Sequence, residues 1–423
     1  MGIIKKNSFV SGAGVYLFSN ILNGVIPFLL LPVLTRYLNP TQYGEVAMFQ
    51  TLLGALSAFV GVTFVGAAGR KYYDGDVSHD DLAQFIGSCL QLILGFSLVI
   101  FLLFAPFYEQ IASWVGVQPK YVLWAVPVAT CAVIIRIRLG QWQVQKQSIK
   151  YGILQISQSL MNVLLSLSFV VVLLQGASGR IDAQIVTHLV FLVVAIVLLK
   201  KDKLLSILRI RKDYLIEALR FGVPLIPHTA GAFLLVSVDR FVINKELGLD
   251  SAGIYMVAVQ ITSAIGVVFD AINKAYVPWL FEKLKNDNIE EKKQIVKFTY
   301  IWFFLIFLGA AIAFIIGPIL VTLVAGEEYA RAGEVFGWLA LGQGFQGMYL
   351  MITNYIFYSK KTGLLSAASI GSGVLNLGLL IIFVRFFGLE GAAIAFATSM
   401  CIRFLLTWWI ANKRHPMPWF NFI

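Results

Sequence analysis

The stretch VKFTYIWFFLIFLGAAIAFIIG, residues 296–317, decides the class of fold. It carries one charged residue, Lys297, near its start and is otherwise almost entirely apolar. A helix needs about 20 apolar residues to cross the hydrocarbon core of a bilayer, and this stretch provides them. Residues 296–317 are therefore predicted to form a transmembrane helix.

The composition of the whole chain agrees with this interpretation. Of 423 residues, 59% are hydrophobic and 13% are charged, whereas soluble proteins carry about 25% charged residues. The net charge of +11 would suggest nucleic-acid binding in a soluble chain, but here the cations gather in loops. They indicate membrane topology, and no nucleic-acid partner is expected.

Eleven other apolar runs are bounded by charges or turn residues. Together with the first they predict an all-α polytopic membrane protein with twelve transmembrane helices, near residues 9–35, 43–68, 82–105, 121–144, 151–174, 182–199, 216–243, 251–278, 296–317, 332–358, 362–385 and 390–411. No loop between them is long enough to fold as a domain, so the function is expected to reside in the helix bundle.

Lysine and arginine are unevenly distributed between alternate loops. With the N-terminus in the cytoplasm, the cytoplasmic segments hold 22 of these residues and the opposite side holds 6, among them Arg180. Because positively charged loops tend to remain in the cytoplasm, this bias predicts that both termini are cytoplasmic.

Two segments suggest an internal repeat. RYLNPTQYGEVAMF (36–49) and KELGLDSAGIYMVA (245–258) each follow an odd-numbered span and place a cation eight residues before a glycine. Such turns also recur by chance, but the matched spacing favours repetition. Six spans per copy predict parallel six-helix lobes around a central cavity, with residues 1–205 as the N-terminal lobe and 206–423 as the C-terminal lobe.

Polar residues recur at helical spacing along spans from both halves. The residues expected to line the cavity are Asn20, Asn23, Gln155, Asn162, Gln260, Asp270, Gln343 and Gln346. If these faces met lipid, amides and charges would lie in hydrocarbon, so they are predicted to point inward. The alternative is hydrogen bonding between helices, which contributes only about 0.6 kcal/mol per contact.

Several charged residues fall within the predicted spans. Asp270 and Lys274 are four residues apart on one helix, so they could neutralise each other or contact a substrate. Arg136 and Arg138 point about 200° apart, so they cannot both face the cavity, and Arg138 is assigned to the cytoplasmic interface. Arg403 has no acidic residue in its own span and is the best single candidate for binding an anion.

Asp239 and Arg240 are adjacent at the end of the seventh span. Neighbouring helical residues point about 100° apart, so the two side chains are not expected to pair with each other. Each is predicted to need a partner on another helix, or water. Two roles remain open for them, a latch between spans and a position at the cavity mouth.

The sequence lacks the motifs of several enzyme classes. It has no GxxxxGK[ST] phosphate-binding loop, and its four histidines form no metal-ligating cluster. The Asp-x-Asp within DGDVSHDD (74–81) lies in a short loop with no nucleotide-binding fold around it. No enzymatic activity, cofactor or metal is therefore expected.

Four segments resemble the Wzx-type polysaccharide flippases of the MOP exporter superfamily. They are LLLPVLTRYLNPTQYGEVAMFQ (29–50), SVDRFVINKELGLDSAGIYMVAVQI (237–261), INKAYVPWLFEKL (272–284) and RHPMPWF (414–420). The resemblance covers nearly the whole chain, and twelve spans in two parallel lobes is the fold of that family.

The resemblance implies a protein of the bacterial inner membrane that moves undecaprenyl-diphosphate-linked oligosaccharide units to the periplasmic leaflet by alternating access. The product would serve O-antigen, capsule or exopolysaccharide assembly. By position, Arg136, Lys274 and Arg403 match the basic residues of the family's cavity. Membrane lipids, a polysaccharide polymerase and a chain-length regulator are the implied partners, and coupling to a proton or sodium gradient is a further expectation.

Two other functions compete with this one. Related multidrug exporters of the superfamily carry cation-coupling carboxylates in the first lobe, and the interiors of the first six spans here contain no Asp or Glu. A polysaccharide polymerase or membrane glycosyltransferase is disfavoured because the chain has no long extramembrane loop and no clustered acids. The cation-coupled multidrug exporter is therefore the main alternative.

Overall fold

A computed structural model describes residues 2–420 apart from 62, 76, 287 and 360–362, and every regular element within that part of the chain is helical. The α-helices are α1 Gly2–Tyr37, α2 Pro40–Gly61, α3 Phe64–Lys71, α4 His79–Phe104, α5 Tyr108–Val115, α6 Pro119–Val144, α7 Ser148–Ser166, α8 Gly176–Lys201, α9 Lys212–Gly222, α10 Ile226–Val236, α11 Asp239–Leu247, α12 Leu249–Lys285, α13 Ile289–Ala325, α14 Ala332–Tyr358 and α15 Gly363–Arg414.

The predicted all-α polytopic fold is confirmed, whereas the count of twelve spans stays a prediction. Within the described residues, ten helical segments are long and apolar enough to cross a membrane. Helix α14 matches a predicted span but is not among the ten, because glutamines and glycines lower its mean hydropathy. The last two predicted spans both fall within α15, which is interrupted at Gly388.

A glycine divides α15 into two parts. Gly388 has φ 58° and ψ −135°, a backbone conformation outside the helical region. Residues with a Cβ rarely adopt this conformation, so glycine lets the chain change direction there. The break lies between the two predicted spans 362–385 and 390–411.

Side-chain caps fix where two of the long helices begin. The Ser78 hydroxyl accepts a hydrogen bond from the Asp81 amide at 3.1 Å, ahead of α4. The Asn288 side chain accepts one from the Glu290 amide at 2.8 Å, ahead of α13. Both helices carry acidic residues in their first turns, which stabilise the positive end of the helix dipole.

Two predicted spans are interrupted. The second, 43–68, is divided between α2 and α3, with Thr63 in the left-handed region at φ 56°. The seventh, 216–243, consists of α9, a 3₁₀ turn around Pro224 and α10, because proline lacks the amide hydrogen that a continuous helix requires. The span ends at Val236, so Asp239 begins the separate helix α11 and does not close the seventh span.

The chain divides into two compact units. The first unit comprises Met1–Leu38 and Gln42–Ala230, and the second comprises Asn39–Thr41 and Gly231–Ile423. Segment 206–230 packs on the first unit: the Gln91 amide donates to the Ile207 carbonyl at 2.6 Å, and Lys71 pairs with Glu217 at 2.8 Å. The predicted lobes 1–205 and 206–423 stay a prediction.

Each unit has its own apolar core. In the first, Phe64, Phe85 and Ile137 are buried between α3, α4 and α6. In the second, Phe303 and Phe404 belong to an aromatic cluster shared by α13 and α15. Helix α13 also exposes many large apolar side chains, as expected of a helix that faces lipid.

Candidate functional site: a polar cavity and two cationic side chains

The first unit contains a polar cavity of about 520 Å³ between α1, α2, α6, α7 and α8. Its polar lining consists of Asn23, Gln50, Ser57, Arg136, Gln155, Gln158, Ser159, Asn162, Gln184, Thr187 and His188. Amides, hydroxyls, one guanidinium and one imidazole therefore share this space. No carboxylate occurs among the described residues that line it.

Four residues predicted from the sequence meet in this polar cavity, namely Asn23, Arg136, Gln155 and Asn162. Asn20 is not part of the lining, and its side chain accepts a hydrogen bond from the Tyr151 hydroxyl at 3.4 Å. The contribution of α8 was not predicted from the sequence, although Gln184, Thr187 and His188 follow the spacing of one helix face. The same periodicity that identified the face of α7 would have found them.

Arg136 is the permanently charged group of the polar cavity. Its Nε donates to the Ala132 carbonyl at 3.4 Å, within its own helix. The side chain is exposed, and it forms no ion pair with a described residue. A guanidinium in this setting retains donors for an anionic ligand.

The cavity wall is fixed by hydrogen bonds between helices. The Ser159 hydroxyl donates to Asn23, which joins α7 to α1. The Arg180 guanidinium donates to the Asn162 side-chain oxygen and to the Ser166 hydroxyl, both at 2.7 Å. The prediction of Arg180 in a loop is wrong, because α8 begins at Gly176 and buries this residue.

His188 has a defined tautomer. Its Nδ1 lies 2.8 Å from the Gln184 carbonyl one turn earlier on α8. A carbonyl only accepts hydrogen bonds, so Nδ1 carries the hydrogen and Nε2 of the neutral ring is an acceptor. Nε2 makes no hydrogen bond with a described residue.

Arg138 is predicted to extend to the cytoplasmic interface, but the structure does not place it in solvent. It is fully buried, pairs with Asp202 at 2.6 Å and lies 4.0 Å from the centre of the Trp142 ring. The partner at the end of α8 explains the error, because pairing keeps the charge inside the protein. Its separation from Arg136 around α6 agrees with the predicted geometry.

In the second unit, Arg403 is held by α14. Its Nη1 donates to the Gln346 side-chain oxygen at 3.0 Å, and its guanidinium carbon lies 3.9 Å from the Tyr349 ring centre. The Nε is buried without a hydrogen-bond partner. Arg403 forms no ion pair with any residue that the structure describes, as the sequence of its span suggested.

The other predicted residues of the second unit lie on α12 and α14. Lys274 pairs with Asp270 at 2.6 Å, and each side chain is 53% exposed. This contact agrees with the self-neutralised pair considered from the sequence, while a substrate role stays a prediction. Gln343 packs so closely against Gly266 that a Cβ there would lie 2.9 Å from its side-chain oxygen, and Gln260 lies on α12.

Asp239 and Arg240 pair with each other, contrary to the prediction. Arg240 Nη1 lies 2.8 Å from Asp239 Oδ1 and also donates to the Val236 carbonyl. The Cβ atoms of neighbouring residues point apart, but the long arginine side chain folds back towards the start of α11 and reaches the carboxylate. Both residues are buried, and the roles of latch and cavity mouth stay predictions.

Comparisons with known proteins agree with the family resemblance. A model of the family described as "Polysaccharide biosynthesis protein" matches residues 9–284. The chain is 26% identical over 378 residues to "Lsg locus putative protein 1" of Haemophilus influenzae, covering 87% of this chain and 89% of that protein. It is 25% identical over 186 residues to a "Putative O-antigen transporter" of Shigella flexneri, covering 43% of each.

Two solved structures share the fold. An inward-facing multidrug resistance MATE family transporter of the MOP superfamily has a TM-score of 0.72 at 17% identity, covering 94% of each chain. The lipid II flippase MurJ in an inward closed conformation has a TM-score of 0.72 at 16% identity, covering 95% of this chain and 87% of MurJ. The expected MOP-type fold is confirmed, and with the family match so is the resemblance to Wzx-type flippases.

Proposed function

The chain belongs to the polysaccharide biosynthesis protein family, and we propose that it is a flippase for undecaprenyl-diphosphate-linked oligosaccharide repeat units. The proposed direction is from the cytoplasmic to the periplasmic leaflet of a bacterial inner membrane, with both termini in the cytoplasm. Transport would proceed by alternating access of two six-helix lobes and serve O-antigen, capsule or exopolysaccharide assembly. A polymerase and a chain-length regulator are the proposed protein partners.

The composition of the polar cavity carries this proposal. Arg136 offers paired donors that suit phosphate oxygens. The surrounding amides and hydroxyls can donate to and accept from sugar hydroxyls, and they come from four helices. One cation among neutral polar groups, without a carboxylate in the described lining, fits an anionic and hydroxyl-rich ligand.

Arg403 supports the proposal from the second unit. Its contacts with Gln346 and Tyr349 orient the guanidinium without neutralising it. We propose Arg403 as the substrate cation of the second unit, since it does not belong to the lining of the polar cavity. Lys274 is the weaker candidate, because Asp270 already balances its charge.

The competing function is cation-coupled multidrug export, since a MATE family transporter shares the fold. Such an exporter needs acidic groups to attract cations, and the polar cavity presents an arginine instead. Expression of the chain in a strain from which the corresponding gene has been deleted distinguishes the two functions. Restored surface polysaccharide without dye efflux supports the flippase, whereas dye efflux without polymer contradicts it.

The proposed orientation can be tested by labelling single cysteines with an impermeant thiol reagent in intact cells. Cysteines that replace Lys245 and Glu327 should react, whereas those that replace Lys212 and Lys360 should react only after lysis. Reaction of the second pair in intact cells would reverse the topology.

A further inference from the structure

The polar cavity offers less positive charge than a diphosphate ligand requires. A diphosphate diester carries two negative charges, and Arg136 supplies one permanent positive charge. An uncompensated charge is costly in a cavity between membrane-spanning helices. Among the residues that line the cavity, His188 is the other group able to become cationic near neutral pH.

From this deficit we infer that His188 is a proton-linked second cation of the diphosphate site, taking up one proton when the ligand binds. The inference rests on the proposed function and adds a group to the same site. Nδ1 is occupied by the Gln184 carbonyl, so the proton must add at Nε2. The resulting imidazolium donates from Nε2 to a phosphate oxygen and keeps its bond to Gln184.

Two charged side chains act on His188 electrostatically, and both are cations. Arg136 on α6 and Arg180 near the start of α8 are the cations that act on it. The other ionisable side chains of the helices that pack on α8 do not line the cavity: Lys120, Tyr121, Cys131, Arg138, Lys150 and Tyr151. The π-helical turn Leu167–Val172, which also contacts α8, carries no ionisable side chain.

Before the ligand binds, the proposed state of His188 is the neutral ring with its hydrogen on Nδ1. A bound dianion favours the protonated form, so ligand affinity should increase as the pH falls. It should weaken as the pH rises through the range in which the bound imidazolium loses its proton. Between pH 8 and pH 6 we expect a gain in affinity of about tenfold.

The test is calorimetric titration of the purified full-length chain with a short-chain prenyl diphosphate N-acetylglucosamine. The charge of this diester is constant between pH 6 and pH 8. Titration at pH 7 in PIPES and in Tris, whose ionisation enthalpies differ, reports the protons exchanged on binding. For the unmodified chain we expect net proton uptake, at most one proton per ligand, because a single imidazole takes it up.

His188→Gln should still bind the ligand, without proton uptake and with little dependence on pH. His228→Gln, which changes a histidine of α10 outside the cavity, should behave like the unmodified chain. If His188→Gln does not fold, His188→Asn takes its place. Proton uptake by the unmodified chain is measured without any variant. Binding without proton uptake, or uptake that persists in His188→Gln, would overturn the inference and leave the proposed function standing. Absence of binding by the unmodified chain would overturn both.

Discussion

Arg136 and Arg403 are both arginines within membrane-spanning helices, one in each unit, but their surroundings differ. Arg136 opens into a cavity lined by neutral polar groups, and its one hydrogen bond to a described residue is with a carbonyl of its own helix. Arg403 is fixed by Gln346 on one side and by the Tyr349 ring on the other. Neither is paired with a carboxylate among the described residues.

The guanidinium of Arg136 is therefore free to reorient towards a ligand, whereas that of Arg403 is already oriented by its neighbours. An open guanidinium offers more donors but must lose side-chain entropy when a ligand binds. A guanidinium held by a glutamine and an aromatic ring offers fewer donors at a lower entropic cost. We therefore expect substitution of Arg136 to have the larger effect on transport.

The largest expected effect is that of Arg136→Ala. Loss of a charge-assisted hydrogen bond to the diphosphate removes about 2–3 kcal/mol, so polymer export should fall by about 30-fold or more. Arg136→Lys should retain part of the activity, because it keeps the charge and loses the paired donors. Surface polymer in complemented cells, normalised to the amount of membrane-inserted protein, measures both effects.

Arg209→Ala is the matched control for that variant. Arg209 is an arginine with a side chain 71% exposed, 3.9 Å from Asp80. Its replacement should leave export unchanged. If Arg136→Ala exports polymer as well as Arg209→Ala does, the cavity does not bind the diphosphate through Arg136.

Arg403→Ala should reduce export by about tenfold, and Arg403→Lys should retain more than the alanine variant because the charge remains. Both variants should insert normally, since Arg403 balances no buried carboxylate among the described residues. Near-normal polymer in Arg403→Ala would contradict a substrate role. Rescue of the alanine variant by a change at Asp239 or Asp270 would show a structural role, although the structure pairs each acid with another cation.

Substitution of Arg180 should have a smaller effect on export, because it acts only through the cavity wall. Arg180→Met should leave Asn162 and Ser166 without their shared donor and destabilise the first unit by about 1–3 kcal/mol. We expect a lower thermal unfolding temperature and a modest loss of export. Asn162→Ala combined with Arg180→Met should cost less than the sum of the two changes, because the residues form one network. Additive losses would contradict this coupling.

The sequence predicted the class of fold because each span carries its own hydrophobic signal, which does not depend on its neighbours. It also placed Gln155 and Asn162 on a face that lines the polar cavity, since helical periodicity determines a face, whereas the cavity role of Arg136 was implied by the family resemblance. It could not predict the pairing of Arg138 with Asp202, which depends on how α6 packs against the end of α8. The Asp239–Arg240 pair was missed because the length and folding of a side chain are not contained in residue spacing.

The smallest expected effect concerns Asp270 and Lys274, whose charges cancel. Lys274 Nζ lies 2.6 Å from Asp270 Oδ2, but both side chains are half exposed. The coupling energy of the pair should therefore stay below about 1 kcal/mol after solvent screening. A double-mutant cycle with Asp270→Asn and Lys274→Met, read by thermal unfolding and by export, tests both possible roles. For a self-neutralised pair, the double variant should export near-normal amounts of polymer, and export by each single variant should decrease only slightly. A different result would make Lys274 a substrate cation that Asp270 restrains. In that case Lys274→Met alone would lose as much polymer export as Arg403→Ala, and Asp270→Asn would export more polymer than the unmodified chain.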